Sequence, residues 1–289
     1  MKIVPCYLIL LFVLLFSPFP VYGKGLGLLY VVHTAPKTVD IYDPESQTRT
    51  VKIPVGDNPS NIAISPDGKR LAVSHIIEGD NIWIIDMKKR EVVGKIPIFL
   101  GRYREAVEKE LLFSKDGKKL YSVDNSTAFL DVLTTSEWRH VKKVALGMHP
   151  RNPVLSRNGK RLFIPCLYSR EIIIVDTEKD MVASSFKING MPSAVALSAD
   201  EKTIYVSDME NHRVFFIDST THNIIKEISV GSSPENLMLI GDRFLYVLNT
   251  NSNNISIIDT EIKKNIKTLP GGILPRKMAH DPVGKRLYI

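Results

Sequence analysis

The sequence predicts an all-β protein, a β-propeller built from four-stranded antiparallel blades, and three observations predict it. Residues 192–233 read PSAVALSADEKTIYVSDMENHRVFFIDSTTHNIIKEISVGSS, four short apolar and partly alternating runs with polar turns between them. The runs 194–197, 203–207, 213–218 and 224–230 are strand length and rich in Val, Ile, Phe and Tyr. Pro150, Pro192, Pro234 and Pro275 then open successive units about 42 residues apart, and Pro59 opens an earlier one. The aspartate that closes the third run keeps the same period at Asp43, Asp86, Asp176, Asp218 and Asp259, with Thr134 once in its place. One four-stranded sheet cannot bury both faces alone, so the copies must stack.

Residues 1–23 read as a signal peptide, and residues 24–289 as the propeller. Lys2 supplies the basic start, residues 3–16 the apolar stretch, Pro18 and Pro20 break it, and Val21-Tyr22-Gly23 offers a small-residue cleavage site. The apolar stretch falls short of the ~20 residues that a membrane span needs. An exported protein, periplasmic or extracellular, is the expectation, with no transmembrane segment after cleavage. Cys6 lies too early for lipidation and would leave with the leader. Cys166 then has no partner for an intrachain disulfide, and stability rests on the core.

Residues 24–56 begin inside a blade, with Leu28-Leu29-Tyr30-Val31-Val32 as its second strand, 39–43 as its third and 49–55 as its fourth. Five full units follow, opening near Pro59, Gly101, Pro150, Pro192 and Pro234, and Pro275 opens a last first strand. Propellers close by pairing strands from the two termini, so that strand would complete the N-terminal blade and make six. A C-terminally truncated fragment would instead come from a seven-bladed protein, and a chain that stops in mid-strand favours this reading.

Aligned, the units share a pattern seen in Gly56-Asp57-Asn58-Pro59, Ser65-Pro66-Asp67-Gly68-Lys69-Arg70, Leu245-Tyr246-Val247-Leu248-Asn249 and Ile257-Ile258-Asp259-Thr260. It resembles the YVTN family of β-propeller repeats, found in secreted and envelope proteins of bacteria and archaea, over nearly the whole chain after residue 23. The resemblance implies the fold and no single activity, because the same repeat serves lactonases, cofactor enzymes and binding scaffolds. The motif residues have structural work. Asp67-Gly68, Asp116-Gly117 and Asn158-Gly159 are hairpin turns in which glycine supplies a positive φ. Asp86, Asp176, Asp218 and Asp259 are placed to accept N–H groups of the following turn.

The fourth position of the YVTN tetrad collects metal-ligand residue types: His33, His75, Asp124, Cys166, Asp208 and Asn249. They stand about a blade apart, whereas zinc needs donors ~2.0–2.3 Å from one point, so each side chain is read as serving its own turn and no metal is expected. His149, His212, His222 and His280 lack ligand spacing. No G-x-S-x-G, phosphate-cradling glycine loop or C-x-x-C-H occurs, and no cofactor is expected. Trp83 and Trp138 read as packing residues and Cys166 as a small buried hydrophobe.

The chain carries 38 Lys+Arg against 31 Asp+Glu, a formal charge of +7. Lys69-Arg70, Lys118-Lys119, Lys160-Arg161 and Lys285-Arg286 follow the first hairpin of their units and read as a solvated face. The turns between blades carry Arg102, Arg104, Arg151, Arg276 and Lys277, with Glu105, Asn61, Asn152, Glu235 and Asn236 beside them, at the expected mouth of the propeller channel. The repeat itself requires none of these cations. The unit near Gly101 also departs most from the pattern, with Phe99–Glu105 in place of V-G-x-x-P and Glu108, Lys109 and Glu110 crowding its first strand.

These residues point to a non-catalytic binding scaffold of the envelope that takes an anionic small molecule, or an envelope protein or polymer, at the channel mouth. A lactonase-like hydrolase is the alternative that the resemblance implies, without a catalytic motif to carry onto residues here. The modest charge and the lack of interleaved aromatics argue against a dedicated nucleic-acid binder.

Overall fold

The repeat's four apolar runs fold as four hydrogen-bonded antiparallel strands, and the computed structural model describes residues 2–4, 14–17, 27–76, 82–98, 109–281 and 285–289. Blade 1 comprises Leu14–Ser17, Leu28–His33, Thr38–Asp43 and Thr48–Pro54; blade 2, Pro59–Ile64, Arg70–His75, Ile82–Asp86 and Glu91–Ile96. Blade 3 comprises Lys109–Phe113, Lys119–Asp124, Phe129–Thr134 and Arg139–Ala145; blade 4, Val154–Leu155, Arg161–Cys166, Glu171–Asp176 and Met181–Lys187. Blade 5 comprises Pro192–Leu197, Thr203–Asp208, Arg213–Asp218 and Ile224–Ser229; blade 6, Pro234–Ile240, Phe244–Asn249, Asn254–Asp259 and Lys264–Pro270. A partial seventh sheet pairs Ala279–Asp281 with Arg286–Tyr288, and Lys2–Val4 adds to it in parallel. The all-β propeller class that the repeat predicts is the observed one.

The N-terminal blade is completed differently from the expectation. Its first strand is Leu14–Ser17, at the end of the apolar stretch, and not a strand from the C-terminal segment. The edge of Leu28–His33 offers unpaired N–H and C=O groups, and a short apolar segment that can reach it satisfies them. Ala279 and Tyr288 meanwhile pack on Leu29 and Val31.

The chain divides into two compact units, each with its own core. Residues 1–143 with 278–288 hold blades 1 to 3, but for the last two residues of blade 3, and the partial sheet; residues 144–277 with 289 hold those two and blades 4 to 6. Within each, the core lies between successive blades. Tyr30, Val32 and Ile53 of blade 1 meet Ile62, Leu71 and Ile85 of blade 2. Ile172 and Ile174 of blade 4 meet Val206 and Phe215 of blade 5, whose other face takes Leu245 and Ile258 of blade 6. Each such fully buried side chain contributes roughly 1.5–3 kcal/mol relative to exposure.

Hydroxyls on one blade also reach the backbone of the next. Ser74 Oγ donates to the Lys109 carbonyl at 3.0 Å, Thr250 Oγ1 to the Pro275 carbonyl at 2.7 Å, and the buried Ser193 hydroxyl to the Pro234 carbonyl.

The turn roles read from the sequence hold. Gly68, Gly117 and Gly159 have φ of 70°, 71° and 74°. Asp43, Asp86, Asp176, Asp218 and Asp259 each accept two N–H groups of the turn that follows. The first hairpins repeat a second network. Ser65 bonds Asp67, Ser114 bonds Asp116 and Ser198 bonds Asp200, and each serine Oγ also accepts the N–H five residues on.

These bonds set the acid response. Hydrogen bonds from Glu45, Lys89 and Thr221 N–H hold Asp43, Asp86 and Asp218 below the usual carboxylate range; the Ser65, Ser114 and Ser198 hydroxyls do the same for Asp67, Asp116 and Asp200. A carboxylate whose folded pKa is depressed contributes stability above its unfolded pKa and loses it as pH falls. Burial also lowers His33, His149 and His280, which costs stability as pH drops below their ordinary range. Only Asp131, raised by burial, opposes this trend among these groups. The melting temperature is expected to decline gently below about pH 6.5 and steeply below about pH 4. A thermal scan that stays level down to about pH 3 would contradict the turn-carboxylate account.

Candidate functional site

The first strands of blades 2, 5 and 6 begin at Pro59, Pro192 and Pro234, and in blade 4 Pro150 bridges Cys166 ahead of the strand, so the one or two residues after these prolines hold matching places in their blades. In the second unit these are Arg151-Asn152, Ser193-Ala194, Glu235-Asn236 and Arg276-Lys277. Asn152 joins them. Its Nδ2 donates to the Ser193 carbonyl at 2.9 Å and the Glu235 carbonyl at 3.0 Å, and its Oδ1 accepts from Lys277 Nζ at 3.0 Å. Asn236 Nδ2 donates to the Arg276 carbonyl at 3.2 Å. Arg151 reaches the buried Glu235 carboxylate at 3.4 Å. Arg276 is exposed, and among the described residues its guanidinium makes no hydrogen bond or ion pair.

Of the residues expected at the channel mouth, the structure thus brings together Arg151, Asn152, Glu235, Asn236, Arg276 and Lys277. Asn61 belongs to the first unit, where its amide donates to Glu110 Oε2 at 2.7 Å. Arg102, Arg104 and Glu105 lie outside the described residues. The Asn152 network fixes the backbone around the cluster, and Arg276 can meet negative charge. The cluster presents no nucleophile paired with a base.

The YVTN fourth positions serve turns. Asp208 accepts Met191 N–H at 2.9 Å, the Asn211 amide at 2.9 Å and Arg213 Nε at 2.9 Å. His75 Nε2 accepts Gly56 N–H at 3.2 Å, and Asn249 bonds Asn254 and Ser256. Cys166 is fully buried, and burial pushes its thiol up to about 12, which leaves it an inert hydrophobe. The glycine two or three residues ahead of the entry proline makes room for these side chains. A Cβ on Gly147 would lie 2.9 Å from Cys166 Cβ, and one on Gly190 2.5 Å from Asp208 Cγ.

Sequence reasoning missed one pair. Lys109 Nζ donates to Asp124 Oδ2 at 2.8 Å, both side chains being 1% exposed. Burial alone would raise Asp124, but the Lys109 charge and the Thr127 and Ser126 N–H groups bring it below the usual range. In blade 5 a turn N–H meets the equivalent Asp208, and in blade 3, whose entry sequence departs from G-x-x-P, Lys109 donates to Asp124. The missing motif above a retained aspartate was the available signal.

The YNCE-like β-propeller family matches residues 24–287. Protein NirF of Stutzerimonas stutzeri is 23% identical over 281 residues, which cover 89% of this chain and 68% of NirF. Antigen Lp49 of Leptospira interrogans is 19% identical over 207 residues, 65% of this chain and 44% of the antigen. Among solved structures, Kuenenia stuttgartiensis hydrazine synthase gives a TM-score of 0.80 at 18% identity, covering 97% of this chain and 92% of that one. A functionally unknown protein from Desulfotomaculum acetoxidans gives 0.71 at 13% identity, with 86% and 84% covered. At such identities the structural likeness speaks to fold alone.

Proposed function

The chain belongs to the YNCE-like β-propeller family, and from that premise we propose that it is an exported binding scaffold of the cell envelope, taking an anionic small molecule or polymer at the entry turns of its second unit. The charge balance there carries the reading. Arg151 is answered by Glu235, whereas Arg276 is exposed beside Lys277 with no acid bonded to its guanidinium among the described residues. Arginine's planar fork matches carboxylate and phosphate oxygens, and the neighbouring Lys277 ammonium is held by Asn152. Export rests on the leader pattern of residues 1–23. Cleavage there would remove Leu14–Ser17 from blade 1 and leave the edge of Leu28–His33 to another strand. No helix among the described residues is long and apolar enough to cross a membrane. No observation favours the lactonase-like alternative.

The test is calorimetric titration with citrate and inorganic phosphate at two salt concentrations. Arg276→Ser with Lys277→Gln is expected to weaken citrate binding about tenfold and to flatten its salt dependence. Arg151 is left in place, because its loss would strand Glu235. Lys115→Gln with Lys118→Gln removes equal charge from an exposed hairpin and should leave affinity within about twofold. Equal losses in the two variants would make the effect one of global charge and sink the site; so would a wild-type chain that binds neither anion.

A further inference from the structure

The turn that leads out of blade 6, Gly271-Gly272-Ile273-Leu274-Pro275, puts its apolar residues outside the core. Ile273 is 83% exposed and Leu274 53%. Position by position before the proline, Leu274 corresponds to Asn58, His149 and Ser233, and all four adopt a left-handed φ, 48° for Leu274. That conformation suits Asn or Gly and penalises leucine. Leu274 therefore costs backbone energy and gives the core little in return. Ile273 corresponds to Met148 in the turn before blade 4, which is 62% exposed and lies in the same unit.

We propose that this turn inserts into an anionic phospholipid surface. The shape points to a lipid interface over a protein partner. A Cβ on Gly272 would meet nothing within 4 Å, so there is open space at the tip of the turn beside the exposed Ile273. It is also held in place, since Leu274 N–H donates to Asn253 Oδ1 at 2.7 Å and Gly271 N–H to the Asn253 carbonyl at 2.9 Å. Arg276, exposed, and Lys277 follow the apolar pair in the chain after Pro275. Apolar side chains ahead of cations are what an acyl boundary beneath anionic headgroups accommodates. The chain's formal charge of +7 favours the same surface. Arg276 and Lys277 are shared with the proposed anion site; Ile273 and Leu274 belong to this inference alone.

The experiment places an environment-sensitive dye on Ile273→Cys in a Cys6→Ser background of the full chain, Cys166 being buried. The reference is the same label on Val93→Cys, an exposed outer-strand position. Vesicles of phosphatidylcholine with about 30% phosphatidylglycerol should shift the emission to the blue at residue 273 and leave it unmoved at residue 93. Pure phosphatidylcholine should give a several-fold smaller shift. Ile273→Ser with Leu274→Asn should weaken sedimentation with the anionic vesicles about tenfold while citrate binding stays as in the wild type. Asn suits the left-handed φ, so this variant should keep its melting temperature. No shift at residue 273, an equal shift at residue 93, or equal shifts with both vesicle types would each overturn the proposal. A 273-specific shift caused by a protein and not by vesicles would overturn it in favour of a protein interface. Loss of citrate binding with vesicle insertion intact would count against the anion site and leave this inference standing.

Discussion

Lys109→Met is expected to remove about 3–5 kcal/mol of stability, because it leaves the Asp124 carboxylate buried without its counter-charge. Both partners are 1% exposed and 2.8 Å apart, so water cannot take the place of the ammonium group. The serine and threonine N–H groups on Asp124 Oδ1 do not reach the oxygen that Lys109 serves, which is Oδ2. Lys109→Met with Asp124→Leu removes both charges and should recover most of the loss, since an apolar pair of similar volume is tolerated where a lone charge is not. The denaturant midpoints of the wild type, the two single variants and the double variant form the cycle. A Lys109→Met chain within about 1 kcal/mol of the wild type would show that the pair contributes little.

The second large effect is expected at Gly190. Gly190→Ala should cost about 1–3 kcal/mol through overpacking, because its Cβ would stand 2.5 Å from Asp208 Cγ. The carboxylate cannot move aside cheaply. It is fully buried and accepts from Met191, Asn211 and Arg213 at 2.9 Å each. Gly94→Ala is the contrast, its Cβ meeting Ile84 Cβ at an ordinary 3.8 Å in the interior of an outer strand. There alanine should be neutral or slightly stabilising. Thermal melts of the two variants compare them directly, and equal losses would mean that strand glycine, not the space above Asp208, decides the outcome.

The fold was legible because the repeat states it several times over. Strand periodicity, the prolines at the blade entries and the aspartates that cap the last turn all mark the same boundaries, and Arg213–Asp218 falls where its apolar run does. The candidate site was legible in part. Arg276 stood out as a cation that the repeat does not require. Asn152 was named without its role, because a hub that links residues of three blades depends on carbonyls, and carbonyls carry no sequence signal. Lys109 was seen only as a residue that crowds a strand; its buried pairing with Asp124 of the next strand is marked by no motif of the repeat. The strand that completes blade 1 was not legible, since an apolar stretch at a chain start satisfies leader and strand patterns equally.

The hydroxyl bridges from blade to blade bear on how the chain is made. Ser74 donates to a carbonyl at residue 109, Ser193 to one at 234 and Thr250 to one at 275. Synthesis runs from N-terminus to C-terminus, so each of these blades emerges from the ribosome before the carbonyl that its buried hydroxyl needs. Until then Ser74 and Ser193 have only partners of their own blade, the facing Ser60 and Ser207 hydroxyls among them. The newest blade on a growing chain is therefore always the unfinished one, and it is sealed only when the first strand of its successor arrives.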